Sequence, residues 1–98
     1  MSTDAVLVRE LAFLAAVDAE VSRARAKFPG QEFDVPLTGW LAILVEEVGE
    51  VARDLNELTL GDDSAERRAN LLTELEQVGA MACMMTNAVK AQWTEPGE

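Results

Sequence analysis

Apolar residues recur along this chain at gaps of three and four. A first stretch reads Leu7, Leu11, Leu14, Val17, Val21, Ala24, Phe28; a second reads Leu41, Leu44, Val48, Val51, Leu55, Leu58; a third reads Leu71, Leu75, Val78, Ala82, Met85, Val89. Such spacing gathers each set on one face of a 3.6-residue helix. It predicts three helices, over roughly residues 4–28, 37–58 and 64–92. Ser2 or Thr3 is placed to cap the first of them. The segment from Pro29 to Pro36 holds a Pro-Gly pair and little periodicity, so it reads as a loop that ends the first helix. Gly61-Asp62-Asp63 stops the second, Ser64 stands where a cap of the third belongs, and the tail from Thr94, with Pro96 and Gly97, reads as frayed. Alternating β-branched residues are absent, and Ala, Leu, Glu and Met, all good helix formers, dominate.

The expected fold is therefore all-α, a single domain over residues 1–98 built as an antiparallel bundle of three main helices. Three helices do not close a four-helix core, and the chain is 49% hydrophobic over only 98 residues. A chain of this size buries only about 60–65% of its unfolded surface. Completion of the core between copies, as a homodimer or homotetramer, is expected. Met81, Met84 and Met85 read as a core or dimer seam, and Cys83, inside an apolar run, as a small core residue.

Charge narrows the choice of partner. Eight basic residues stand against eighteen acidic ones, for a formal charge of −10. That balance disfavours nucleic acid and anionic membrane surfaces, and an anionic ligand would need a cation to mediate. A lone cysteine excludes an intramolecular disulfide. No basic-then-apolar leader opens the sequence and no apolar run approaches the ~20 residues that span a bilayer, so a cytoplasmic location is expected.

The acids are patterned. Glu46-Glu47-Val48-Gly49-Glu50 places Glu47 and Glu50 one turn apart on one helical face, and Asp54 continues the row at the margin of the apolar stripe. Carboxylates so spaced repel unless solvent or a cation offsets them, and they suit the oxygen coordination of Mg²⁺. A solvated helix face is the plain alternative. On the third helix Glu74 falls between Leu71, Val78, Met81 and Met85, pointing into the apolar face. A carboxylate there must be protonated, paired with a base such as Arg67, or bound to a metal. Gln77, one turn on, repeats the three-residue step, and its amide oxygen can coordinate a hard cation or fix a water.

This pattern resembles the MazG-like all-alpha nucleoside triphosphate pyrophosphohydrolases, whose signature is EExxE followed further along by ExxD. The likeness runs from about Trp40 to Asn87, with Glu46-Glu47-x-x-Glu50 and Glu74-x-x-Gln77 as the matching motifs. It implies that Glu47, Glu50 and Glu74 are Mg²⁺ ligands, with Mn²⁺ able to substitute. Gln77 stands where many members have aspartate, a departure that lowers the charge of the site. The implied reaction is attack of water on the phosphorus next to the nucleoside, giving the nucleoside monophosphate and pyrophosphate, with Glu46 or Glu50 as general base. Asn87 and Lys90 are the triphosphate contacts that the resemblance suggests.

Arg67, Arg68 and Lys27 are further candidates because basic residues are few. Trp40, Phe28 and Phe33 either plug the end of the bundle or stack on a base. A di-iron carboxylate site would need Glu-x-x-His pairs, and the chain has no histidine. A Gly-rich phosphate loop is also missing. The reading that competes is a helical oligomeric interaction module of the same fold with a decayed metal site.

Overall fold

The computed structural model describes residues 3–61 and 63–93. It is all-helical: α1 spans Thr3–Lys27, α2 Gln31–Asp34, α3 Leu37–Thr59 and α4 Ala65–Trp93, with no strand among the described residues. The three long helices begin and end within a residue of the ranges that periodicity predicts. The cap expected at Ser64 is present, its Oγ accepting from the Arg67 N–H at 3.1 Å. Ser2 and the tail beyond Trp93 lie outside the described residues, and Thr3 is already the first residue of α1.

The segment expected to be a loop contains a single helical turn, α2. Gly30 takes a left-handed φ of 82°, which breaks the chain direction after Pro29. The Phe33 and Asp34 N–H groups then return to the Gly30 carbonyl at 3.0 and 3.1 Å. Side chains hold the turn in place. Gln92 Nε2 donates to the Glu32 and Val35 carbonyls at 2.8 and 2.9 Å, and Arg25 Nε donates to Glu32 Oε1 at 2.8 Å. A proline-bounded segment with no apolar stripe of its own is ordered here by its neighbours.

α4 is the common partner, since α1, α2 and α3 each pack against it. The buried core is Val17 and Val21 of α1, Trp40 of α3, and Ala80, Met84 and Ala88 of α4. Along α4 the innermost line is thus displaced from the stripe Leu71, Leu75, Val78, Ala82, Met85, Val89. A helix flanked on several sides puts its small residues where backbones come closest and its larger ones beside them. Met81 and Met85 flank that line, half-buried. Gly79 marks one such approach: a Cβ there would stand 2.8 Å from Phe13 Cζ and 2.9 Å from Val17 Cγ2. Cys83, expected inside, is exposed, because its neighbour Met84 takes the inward position.

The apolar stripe of α1 divides. Val17 and Val21 are buried, whereas Leu7, Leu11 and Leu14 are at least half exposed. The radius of gyration is 16.0 Å, against about 13 Å for a compact chain of this length. That extension is why so much of the stripe stays uncovered. No helix among the described residues is long and apolar enough to cross a membrane.

Candidate metal centre

α3 and α4 bring three of the predicted residues together. Glu47, Glu50 and Glu74 each offer one carboxylate oxygen within 4.8 Å of the other two, and all three are half-buried. The three-residue step of α3 aligns Glu47 with Glu50, and the packing of α4 carries Glu74 across to them. Glu74 therefore meets acids, where pairing with Arg67 was one of the expectations. Arg67 Nη1 instead donates to Asp54 Oδ1 at 3.0 Å and pairs with Glu57 Oε2 at 2.5 Å.

The electrostatics of the cluster follow from burial and like charge. The carboxyl of Glu74 is pushed up to about 7, first by desolvation and then by the carboxyl groups of Glu50 and Asp54 lying against it. Glu47 is also raised, by desolvation first and then by Glu50, Glu46 and Glu20. Glu74 Oε2 and Asp54 Oδ2 are sealed from solvent with no hydrogen-bond partner among the described residues. Several carboxylate oxygens from two helices, repelling one another and partly without donors, form the kind of donor set that a hard divalent cation satisfies.

The other predicted residues are placed differently. Glu46 is exposed on α3 and enters only as a neighbouring charge on Glu47. Gln77 is half-buried one turn beyond Glu74, and its side chain lies beside Glu20 of α1. Glu20 also pairs with Arg23, and its carboxyl is lowered chiefly by that contact. Asn87 and Lys90 lie on the same helix ~20 and ~24 Å beyond Glu74 at 1.5 Å of rise per residue. They do not join the three glutamates.

Two of the candidate substrate contacts meet other parts of the protein. Trp40 is 1% exposed and packed among Val17, Val21, Ala80, Met84 and Ala88, so it is a core plug with no ring face open to a base. Arg67 is engaged by two carboxylates of α3, Asp54 and Glu57. Two acids matter more than the motifs indicate. Asp54 is 2% exposed, and its place in the row after Glu50 was its signal. Glu20 had none beyond its position beside Val21.

No family model, curated protein or solved structure matches the chain. The functional reading thus rests on the residues and their arrangement.

Proposed function

We propose that this chain is a Mg²⁺-dependent nucleoside triphosphate pyrophosphohydrolase, converting a ribo- or deoxynucleoside triphosphate and water to the monophosphate and pyrophosphate. The observation that carries the reading is the convergence of Glu47, Glu50 and Glu74 within 4.8 Å. These three side chains would hold the cation, and Gln77 would present its amide oxygen from one turn away. Bound there, Mg²⁺ would neutralise charge on the phosphate oxygens and acidify a coordinated water.

Glu50 is the better placed general base, being half-buried within the cluster, and Glu46 is the exposed second candidate. The base takes a proton from water as the water oxygen bonds to the phosphorus next to the nucleoside. The bond from that phosphorus to its bridging oxygen breaks, and pyrophosphate departs with the bridging oxygen. Asn87 and Lys90, further along α4, would meet parts of the nucleotide remote from the reacting phosphorus. In this reading the protein works in the cytoplasm.

The working form in this reading is a homodimer or homotetramer, in which the helices complete a bundle. Its support is the apolar flank left open by α1 and α4. Phe13, Leu72 and Leu75 are exposed along a groove of about 650 Å³, and Leu7, Leu11 and Leu14 are exposed on α1. Exposed apolar surface of this kind marks contact sites.

The test is pyrophosphate release from a panel of ribo- and deoxynucleoside triphosphates with Mg²⁺ or Mn²⁺, using wild type, Glu47→Ala and Glu74→Ala. Release that both variants lose supports the enzyme. Absence of turnover on every nucleotide, together with no thermal stabilisation by either cation, would establish the rival reading of a helical oligomer with a decayed site. The observation favouring that rival is Gln77, which brings no charge and lies beside Glu20.

A further inference from the structure

The apolar stripe predicted for α3 splits in the structure. Leu44, Val51 and Leu58 are half-buried on the side of the helix that buries Trp40. Leu41, Val48 and Leu55 are exposed, and Val45 and Ala52 are exposed with them. These five follow steps of four, three, four and three, the alternation of the a and d positions of a heptad. They fall within about 80° of one another and form a ridge about 21 Å long, turned roughly 100° from the buried side. A ridge so narrow matches a single helix, where a globular surface meets a wider stripe.

The ridge also matches itself. Turned antiparallel on a two-fold axis at Val48, Leu41 meets Leu55 of the second copy, Val45 meets Ala52, and Val48 meets Val48. The charges beside it obey the same symmetry. Glu46 and Arg53 are exposed on one flank of the ridge, seven residues apart, and among the described residues neither makes an ion pair within its own chain. The two-fold brings each to the other's counterpart, so two opposite-charge pairs close at once. Ala42 and Asn56, nearest the ridge on that flank, carry no charge. A parallel pairing would instead set the half-buried side of one helix, against which α4 lies, upon the charged flank of the other. Two heptads are short for a coiled coil, but α3 is already held as a helix by α4, so pairing orders little new backbone.

We propose that the exposed ridge of α3 is a contact between two copies of this chain, formed antiparallel about a two-fold axis at Val48. It lies on a different helix from the open flank of α1 and α4. Two self-matching faces on one chain close at four copies, which selects the homotetramer over the homodimer. That closure rests on the flank taking up a copy as well; the ridge contact does not.

Sedimentation equilibrium in metal-free buffer tests this with wild type, Val48→Lys, Leu14→Glu and the double variant. Residue 48 meets its own copy on the axis, so lysine there sets like charges face to face, whereas a lone chain tolerates the change at an exposed position. The expected masses are four chains for wild type, two for either single variant and one for the double variant. If Leu14→Glu keeps the wild-type mass while Val48→Lys halves it, the flank contact falls and the ridge stands. If Val48→Lys keeps the wild-type mass, or wild type is a monomer, the ridge contact is overturned. Should Val48→Lys lose its helical circular dichroism, the charge pair carries the test. Glu46→Arg and Arg53→Glu should each weaken the contact about tenfold, since both symmetric pairs turn repulsive, and the combined reversal should return it to within about twofold. Single reversals without effect, or a combined reversal that restores nothing, would overturn the antiparallel contact. No turnover or cation is read, so the outcome is independent of the proposed enzyme.

Discussion

Between α3 and α4 the molecule encloses carboxylates; along the first half of α1 it exposes leucines. Asp54 is 2% exposed, whereas Leu14, on the helix that buries Val17 and Val21, is 60% exposed. Transfer free energies favour the reverse by about 1.5–3 kcal/mol for a leucine and by more for a charge. Each region is therefore incomplete by itself, and in opposite ways. The seam has charge with too few donors, so a cation would stabilise it. The flank has apolar area with nothing over it, so a protein surface would. Under the proposed reading, a cation would complete the seam and a second copy the flank.

The largest effect that separates the two regions is expected at Glu74. Glu74→Gln keeps the size of the side chain and removes its charge. Turnover should fall roughly a thousandfold, because charge stabilisation by a metal accounts for several kcal/mol. Without metal the same variant should unfold at a higher temperature than wild type, since a desolvated charge beside Glu50 and Asp54 has been removed. Calorimetric unfolding with and without Mg²⁺ gives both numbers. A variant that loses stability in metal-free buffer would show that the seam is a structural network and not a site under strain.

Next in size is the pH dependence of the metal-free protein. The folded-state value of Glu74 is raised from 4.5 to about 7. Between those values the folded state binds more protons than the unfolded one, so stability falls as pH rises through the window. The loss is on the order of 2–3 kcal/mol. Glu47, also raised, acts in the same direction. Glu20, Glu32 and Asp63 act oppositely, because Arg23, Arg25 and Arg68 lower them, and their contribution is lost on the acid side of the ordinary carboxylate range. With Mg²⁺ present, protons compete for the same oxygens, so the thermal gain from metal should be larger at pH 8 than at pH 6. A gain independent of pH would remove Glu74 from the ligand set.

The flank is probed by Leu14→Glu. In an isolated chain a residue already 60% exposed tolerates this change within about 0.5 kcal/mol. If a second copy covers it, each contact loses on the order of 2 kcal/mol of leucine burial. Sedimentation should then show smaller species at concentrations where wild type is assembled. An identical sedimentation profile would mean that Leu14 lies outside any contact between copies.

Much of the fold was legible because helix periodicity and punctuation are local signals. Three helix spans, the Ser64 cap and the stop at Gly61 can be read from a few neighbouring residues each. The convergence of Glu47, Glu50 and Glu74 was legible in part, since a row on one helix and an acid on the apolar face of another suggest a meeting without fixing it. What failed depends on contacts between helices. Whether Trp40 plugs the bundle or stacks on a base depends on its burial against α1 and α4, which one helix does not show. Arg67, read as a partner of Glu74 or a phosphate contact, pairs with Asp54 and Glu57 of α3. The innermost line of α4 followed from its having neighbours on several sides, which no window along one helix reveals. Cys83 was misplaced for the same reason.

The smallest expected effect contrasts two glycines inside helices. Gly79 is close-packed, since a Cβ would meet Phe13 and Val17, while a Cβ at Gly49 would meet nothing within 4 Å. Glycine in a helix interior costs roughly 0.5–1 kcal/mol relative to alanine. At Gly49 no clash offsets that gain, so Gly49→Ala should raise the unfolding midpoint by about 2–6 °C for a chain of this length. At 100° per residue Gly49 points about 100° away from Glu50 and about 160° away from Glu47, off the carboxylate row. The stabilisation by Mg²⁺ should therefore be the same in the variant as in wild type. A variant that is more stable yet loses its response to Mg²⁺ would mean that the solvent side of α3, and not only its seam with α4, takes part in holding the ligand.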